Sequence, residues 1–123
     1  MLGKFILWFS AAMFSAYGLA CLFSPGLPMG YAGLGAVSGD ALPEIAAMYG
    51  GLQTGFGLFC LLGALQAAFY RPALVLLLLC IGGLALARCF WAFNAPGEVG
   101  AYTYAAMAYE YLTAILAAIA LRR

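Results

Sequence analysis

Residues Pro43 to Gly63 read PEIAAMYGGLQTGFGLFCLLG, an apolar run of helix length that opens with an acid and carries Tyr49 and Gln53 inside it. Laid on a helix, Ala46, Tyr49, Gly50, Gln53, Gly57, Cys60 and Ala64 fall on one stripe, while bulky Leu and Phe residues largely occupy the remainder. Small side chains let helix backbones approach closely in lipid, so this stripe marks the protein-facing side of a membrane helix. The run is therefore expected to be the central span of a small bundle.

The composition agrees. The chain has 123 residues, 67% of them hydrophobic and only 7% charged, with a mean hydropathy of +1.06, more apolar surface than a water-soluble domain of this size buries. At about 20 apolar residues per span, the length allows four spans with short connections. Barrel strands would show alternation over about ten residues, and the runs here are continuous. The expected class is an all-α, integral membrane four-helix bundle forming a single domain. A net charge of +1 without a basic cluster argues against nucleic acid as a partner. Histidine is absent, which removes the commonest general base and the commonest metal ligand together.

Outward from the central run, spans are expected at about 4–24, 43–69, 73–93 and 101–121. The first follows Lys4 and reads as an uncleaved span, because its apolar part is longer than a signal-peptide core. Ala12, Ala16 and Ala20, with Ser15 beside them, offer it a packing face. Residues 25–42 are rich in Gly and Pro, unsuited to regular helix, and are expected to form an external cap. Their Gly33 to Gly39 run lacks the Lys-Ser/Thr and the preceding strand of a phosphate loop. Pro43 and Glu44 suit a helix N-terminus, and Gly51 and Gly55 form a second close-contact motif. Arg71-Pro72 is expected to make the turn to the third span, since proline disfavours helix in the residue before it. Lys4, Arg71, Arg122 and Arg123 all fall on one side, which places both termini in the cytoplasm by the positive-inside rule.

Arg88 and Glu110 are the informative residues. A charge inside an apolar span costs roughly 2.5–3.5 kcal/mol even on an insertion scale, and needs a partner or water. Arg88 lies about 9 Å and Glu110 about 14 Å inside the loop ends of adjacent antiparallel spans, and Gln53 lies at a matching depth of about 15 Å. The expected site is a polar pocket of Arg88, Glu110, Gln53 and Tyr49, with Tyr109 or Tyr111 beside them and Glu44 nearer the interface. Arg88 is its anion-binding or pairing group and Glu110 the counter-charge. These groups serve either as an interhelical ion pair that fixes the fold or as a binding site for the head of a lipid-like molecule or a partner helix. Proton-coupled transport by Glu110 is the alternative, and an intramembrane lipid-modifying enzyme a third. Small multidrug transporters share the length and the four spans, but carry their essential acid in the first helix, which here has none. Cys21, Cys60, Cys80 and Cys89 show neither zinc nor redox spacing and read as small buried hydrophobes; the topology places Cys21 and Cys89 toward the same side, which leaves a disulfide between them open. No cofactor or metal is indicated.

Glu44-Ile45 followed by Met48-Tyr49-Gly50-Gly51-Leu52-Gln53, then Gly82-Gly83-Leu84 with Arg88 and finally Glu110, resembles the bacterial four-span proteins of the domain-of-unknown-function 4345 family. The resemblance covers most of the chain and implies a multi-pass protein of the bacterial inner membrane. That pattern would place a basic residue shortly after the acid, where this chain has Ala46 and Ala47. More distantly, a small-residue second helix, a charged third and a short fourth resemble the eukaryotic ergosterol-biosynthesis scaffold proteins, which implies tethering of lipid enzymes. The expectation is a non-enzymatic binding or scaffold subunit, with membrane lipids, a lipid-like small molecule and a second copy or another membrane protein as partners.

Overall fold

A computed structural model describes residues 1–123 as helices and connections without strands. Helix α1 spans Leu2–Phe23, α3 Ala41–Leu65, α4 Ala67–Asn94 and α5 Ala101–Arg122, and all four are long and apolar enough to cross a membrane. The protein is thus a multi-pass, all-helical bundle. The connection after α1 contains a six-residue helix, α2, Leu27–Ala32. Pro28 at its start is pre-set for helical φ, and Gly33 ends it at φ 67, a left-handed value that glycine adopts without strain. Helix therefore forms inside the 25–42 segment that glycine and proline content marks as irregular.

The turn between the second and third spans falls at Gln66, not at Arg71-Pro72. Gln66 is extended, at φ −119 and ψ 125, and its N–H closes α3 on the Leu62 carbonyl at 2.8 Å. Pro72 lies within α4 instead. It stands near the helix start, where its missing N–H removes a single ladder bond close to the membrane surface. Arg71, one turn inside, donates to the Leu121 carbonyl at 3.1 Å and so caps the end of α5.

Packing is uneven along the bundle. Buried apolar residues concentrate at the end that holds both termini and the Gln66 turn, where Leu7, Cys60, Leu74, Leu77, Ile81 and Ala117 form one cluster. Gly63 permits that closeness: a Cβ there would stand 2.5 Å from the Ala73 methyl. Toward the other end α3 stays on α1, α4 stays on α5, and the two pairs diverge. Both α3 and α4 widen into a π-helical turn on the way, at Ala46–Gly51 and Leu77–Ile81. Such turns insert one residue and redirect the helix face beyond them. Only 25 of 123 residues are buried, so most of the apolar surface is left to face lipid.

The α1–α3 contact is made by glycine. A Cβ on Gly50 would lie 2.7 Å from the Leu22 Cα, one on Gly57 would lie 2.6 Å from the Ser15 amide nitrogen, and one on Gly18 would meet the Thr54 backbone. The alanine ridge of α1 is not the contact face: Ala12, Ala16 and Ala20 are all exposed. Gly51 and Gly55 likewise open onto free space. The bulk of Leu7 and Phe14, both buried, fixes which side of α1 turns inward, and the alanines lie opposite. Substituting valine at Gly50 or Gly57 is expected to destabilise the bundle by about 1–3 kcal/mol or prevent folding. Gly51→Ala and Gly55→Ala are expected to be neutral or to stabilise it by up to about 1 kcal/mol. Thermal unfolding in detergent micelles separates the two classes.

Candidate functional site

Divergence of the two helix pairs leaves a cavity of about 510 Å³ between α3 and α4, closed behind by α1 and α5. It is mostly apolar, and its polar lining includes Arg88, Glu110, Gln53 and Tyr49. Four of the five residues expected to form the site are therefore brought together. Glu44 is not: it lies exposed in the first turn of α3, makes no ion pair and does not reach the cavity. Tyr109 contributes its ring to the wall, whereas Tyr111 sits beside Cys89, outside the lining.

Arg88 and Glu110 meet directly. Arg88 Nε donates to Glu110 Oε2 at 3.0 Å and to Oε1 at 3.2 Å, and Nη2 donates to Oε1 at 2.7 Å. The two Cα atoms differ in depth by about 5 Å at 1.5 Å rise per residue, a gap the long arginine side chain spans. Glu110 is 6% exposed, so nearly all of its hydration has been replaced by the guanidinium. The fork geometry gives both carboxylate oxygens a partner, the arrangement in which a desolvated pair recovers most of its burial cost. Arg88 shares the cavity wall with Tyr49 and Tyr102.

Gln53 stands across from this pair on α3 and is not satisfied. Its Oε1 is buried without a hydrogen-bond partner, a state that costs roughly 1–3 kcal/mol in a protein interior. Ser10 and Tyr109 hydroxyls are unpaired too, but they face one another and Thr113 deeper in the bundle. Gln53 and Tyr109 each combine an unpaired polar atom with a place in the cavity lining, Gln53 on the α3 wall and Tyr109 on the α5 wall.

The two ends of the cavity differ. Tyr31 on α2 donates its hydroxyl to Tyr17 Oη at 2.6 Å and packs its ring 4.8 Å from that of Tyr102, and Tyr17 and Tyr102 both line the cavity. This aromatic cluster covers the end toward the 24–40 connection. Laterally, Met48 and Leu52 of α3 and Cys80 and Leu84 of α4 form the lips, and all four are exposed. Cys80 is a free thiol, and so are Cys21, which is buried, and Cys89, so the Cys21–Cys89 pairing is not formed. The π turns and these lips escaped sequence reasoning, because a leucine lining a cleft and a leucine facing lipid look alike. The Tyr17, Tyr31 and Tyr102 spacing gave a weak signal, three phenols that reach one end of the bundle. No group of three or more Cys, Asp or Glu is placed to hold a metal ion.

Breaking one side of a desolvated ion pair strands the other. Arg88→Gln and Glu110→Gln are each expected to cost about 3 kcal/mol or more, and the double variant to recover most of the loss. A double-mutant cycle on unfolding in micelles measures this coupling, and additive losses would show that the pair is not coupled.

No curated protein and no solved structure matches this chain significantly. The sequence model described as Domain of unknown function (DUF4345) matches residues 2–121, nearly the whole chain. The matched stretch contains Tyr49, Gln53, Arg88 and Glu110, which line one cavity, and the chain belongs to the DUF4345 family.

Proposed function

We propose that this protein is a small, non-catalytic subunit of the bacterial inner membrane that holds one lipid-like molecule in the cleft between α3 and α4. The observation that carries this reading is the unpartnered Gln53 amide across an otherwise apolar cavity from the Arg88–Glu110 pair. A cavity of about 510 Å³ falls in the size range of small-molecule sites, and its lining, apolar with a few convergent polar groups, matches an amphipathic ligand. The aromatic cover at Tyr31 and the open lips at Met48, Leu52, Cys80 and Leu84 favour loading from the bilayer over loading from water. Lys4, Arg71, Arg122 and Arg123 gather at the opposite, tightly packed end, which supports cytoplasmic termini. The cleft then opens in the outer half of the membrane. Gly51 and Gly55 leave a smooth outward face on α3, suited to a second copy or to a partner membrane protein that acts on the held molecule.

Transport by Glu110 has less support. Both of its oxygens are already engaged by Arg88, and releasing one to carry a proton would break the pair.

Native mass spectrometry of gently purified protein tests the reading, with extraction and identification of what is bound. The wild type is expected to carry one stoichiometric lipid-like molecule. Leu52→Trp, at a lip position that is 43% exposed, is expected to fill the opening and lower the bound fraction at least about tenfold with the unfolding temperature unchanged, since no buried packing is altered. Wild-type protein that is empty when purified from membranes, and that stays empty with added membrane lipid extract, would exclude a binding role for the cleft.

A further inference from the structure

We propose that the lipid held by the protein is a phospholipid, with its phosphate in a second hollow beside Arg88 and one acyl chain in the cleft; this rests on the lipid-binding reading above. The second hollow is an open groove of about 430 Å³ along the last turns of α4, lined by Trp91 of that helix, Ala95 and Val99 of the connection, and Thr103 of α5. Leu84 and Arg88 line both hollows, so the groove continues the cleft toward the α4–α5 connection. Arg88 stands about 9 Å inside the end of α4 at Asn94, and Cys80, on the cleft lip, about 12 Å deeper still. Trp91, nearly one turn closer to the helix end and 65% exposed, is of a residue type at home where membrane meets water. In series, the two hollows run from interface depth to hydrocarbon depth, the direction in which a bilayer lipid lies.

Charge selects the head group. Arg88 is the one charged residue in the groove lining, and Glu110 lines only the cleft. A guanidinium carries five N–H donors, set along two edges that each match a pair of oxygens. Glu110 takes the Nε–Nη2 edge. Nη1 pairs with no protein atom and is not sealed from its surroundings, and the side chain keeps 28% of its surface exposed. Nη1 and the second hydrogen of Nη2 thus form a free edge, which fits two phosphate oxygens. The Trp91 indole N–H and the Thr103 hydroxyl add neutral donors to the same groove. A phosphate on the free edge meets the guanidinium before the carboxylate, and in an open groove it keeps part of its water, so the cost of burying an ion is small. An uncharged glyceride offers that edge only neutral acceptors, which bind it more weakly, and a quaternary amine faces the guanidinium as a like charge. A free phosphate gains nothing from the apolar remainder of the groove, whereas a lipid covers it and continues past Leu84 into the cleft.

The test uses lipids with the same two oleoyl chains, added to the delipidated full-length protein in a non-ionic detergent and read by native mass spectrometry. Dioleoyl phosphatidylglycerol and dioleoyl phosphatidylcholine carry the phosphate, dioleoylglycerol lacks it, and dioleoyl trimethylammonium propane has a cation in its place. Both phospholipids are expected to be retained about tenfold or more over the other two, and to slow alkylation by N-ethylmaleimide of Cys80, the thiol on the cleft lip. An excess of inorganic phosphate is expected to leave retention unchanged; displacement by it would overturn the lipid as the source of the phosphate. In the Arg88→Gln, Glu110→Gln double variant, which leaves no charge unpaired, the four lipids are expected within about threefold of one another. Thr103→Val, isosteric and clear of the ion pair, is expected to narrow the preference by about threefold. Trp8→Phe makes Trp91 the sole tryptophan, and a nitroxide on the phospholipid head is expected to quench it more strongly than one at the chain end. The reverse order would overturn the groove as the head-group site. Equal retention of dioleoylglycerol with Cys80 protected would overturn the phosphate assignment and leave the cleft as a lipid site, and so would a preference that neither variant narrows. Retention of no lipid, with Cys80 alkylated at the same rate throughout, would overturn the lipid-binding reading and this inference with it.

Discussion

A charge placed in hydrocarbon has to find its opposite. In this bundle that requirement ties α4 to α5 through Arg88 and Glu110, within one of the two helix pairs and beyond the apolar cluster. The ion pair and the aromatic contacts of Tyr31 and Tyr102 hold the end of the molecule that the apolar cluster does not reach. Between lipid and protein an aliphatic side chain gains little from burial, because the bilayer is as apolar as the interior. Close backbone approach and polar contacts must therefore supply the specificity, and each appears where it is needed: glycine between α1 and α3, the ion pair between α4 and α5.

Joined at one end and divergent at the other, the two pairs make the cleft a consequence of the fold. Gly63 and the Gln66 turn draw α3 and α4 together, and the core around Leu74, Leu77 and Ile81 keeps them so. The π turns at Ala46–Gly51 and Leu77–Ile81 then redirect both helices. The Thr54 hydroxyl, donating to the Gly50 carbonyl at 2.8 Å, occupies a backbone acceptor at the point where α3 widens. Each of these is a local feature, and together they leave a gap that faces lipid.

How much of this was legible in the sequence follows from the kind of signal each feature leaves. Length and hydropathy give the spans, because a bilayer tolerates little else. Arg88, Glu110, Gln53 and Tyr49 stood out because polar groups are rare there, and depth along each helix brought them to one level. Glu44 belongs with them by charge, yet its first-turn position leaves it at the surface. The break at Gln66 was missed because proline is the louder signal, although it is harmless near a helix start. Glycine spacing did not show which glycines touch a neighbour: Gly51 and Gly55 match the motif and face outward, whereas Gly50 and Gly57 make the contact. That choice is made by the bulky side chains of the facing helix, which no single-helix pattern contains.

Arg88 and Glu110 also decide how the protein responds to an energised membrane. One elementary charge moved across the field is worth about 2.3 kcal/mol per 100 mV, and the remaining charged residues, Lys4, Asp40, Glu44, Arg71, Glu98, Arg122 and Arg123, lie at the helix ends or in connections. Within the spans the two opposite charges form a short dipole with no net charge to be driven. A potential across the membrane therefore exerts no net force on the two charges beside the cleft.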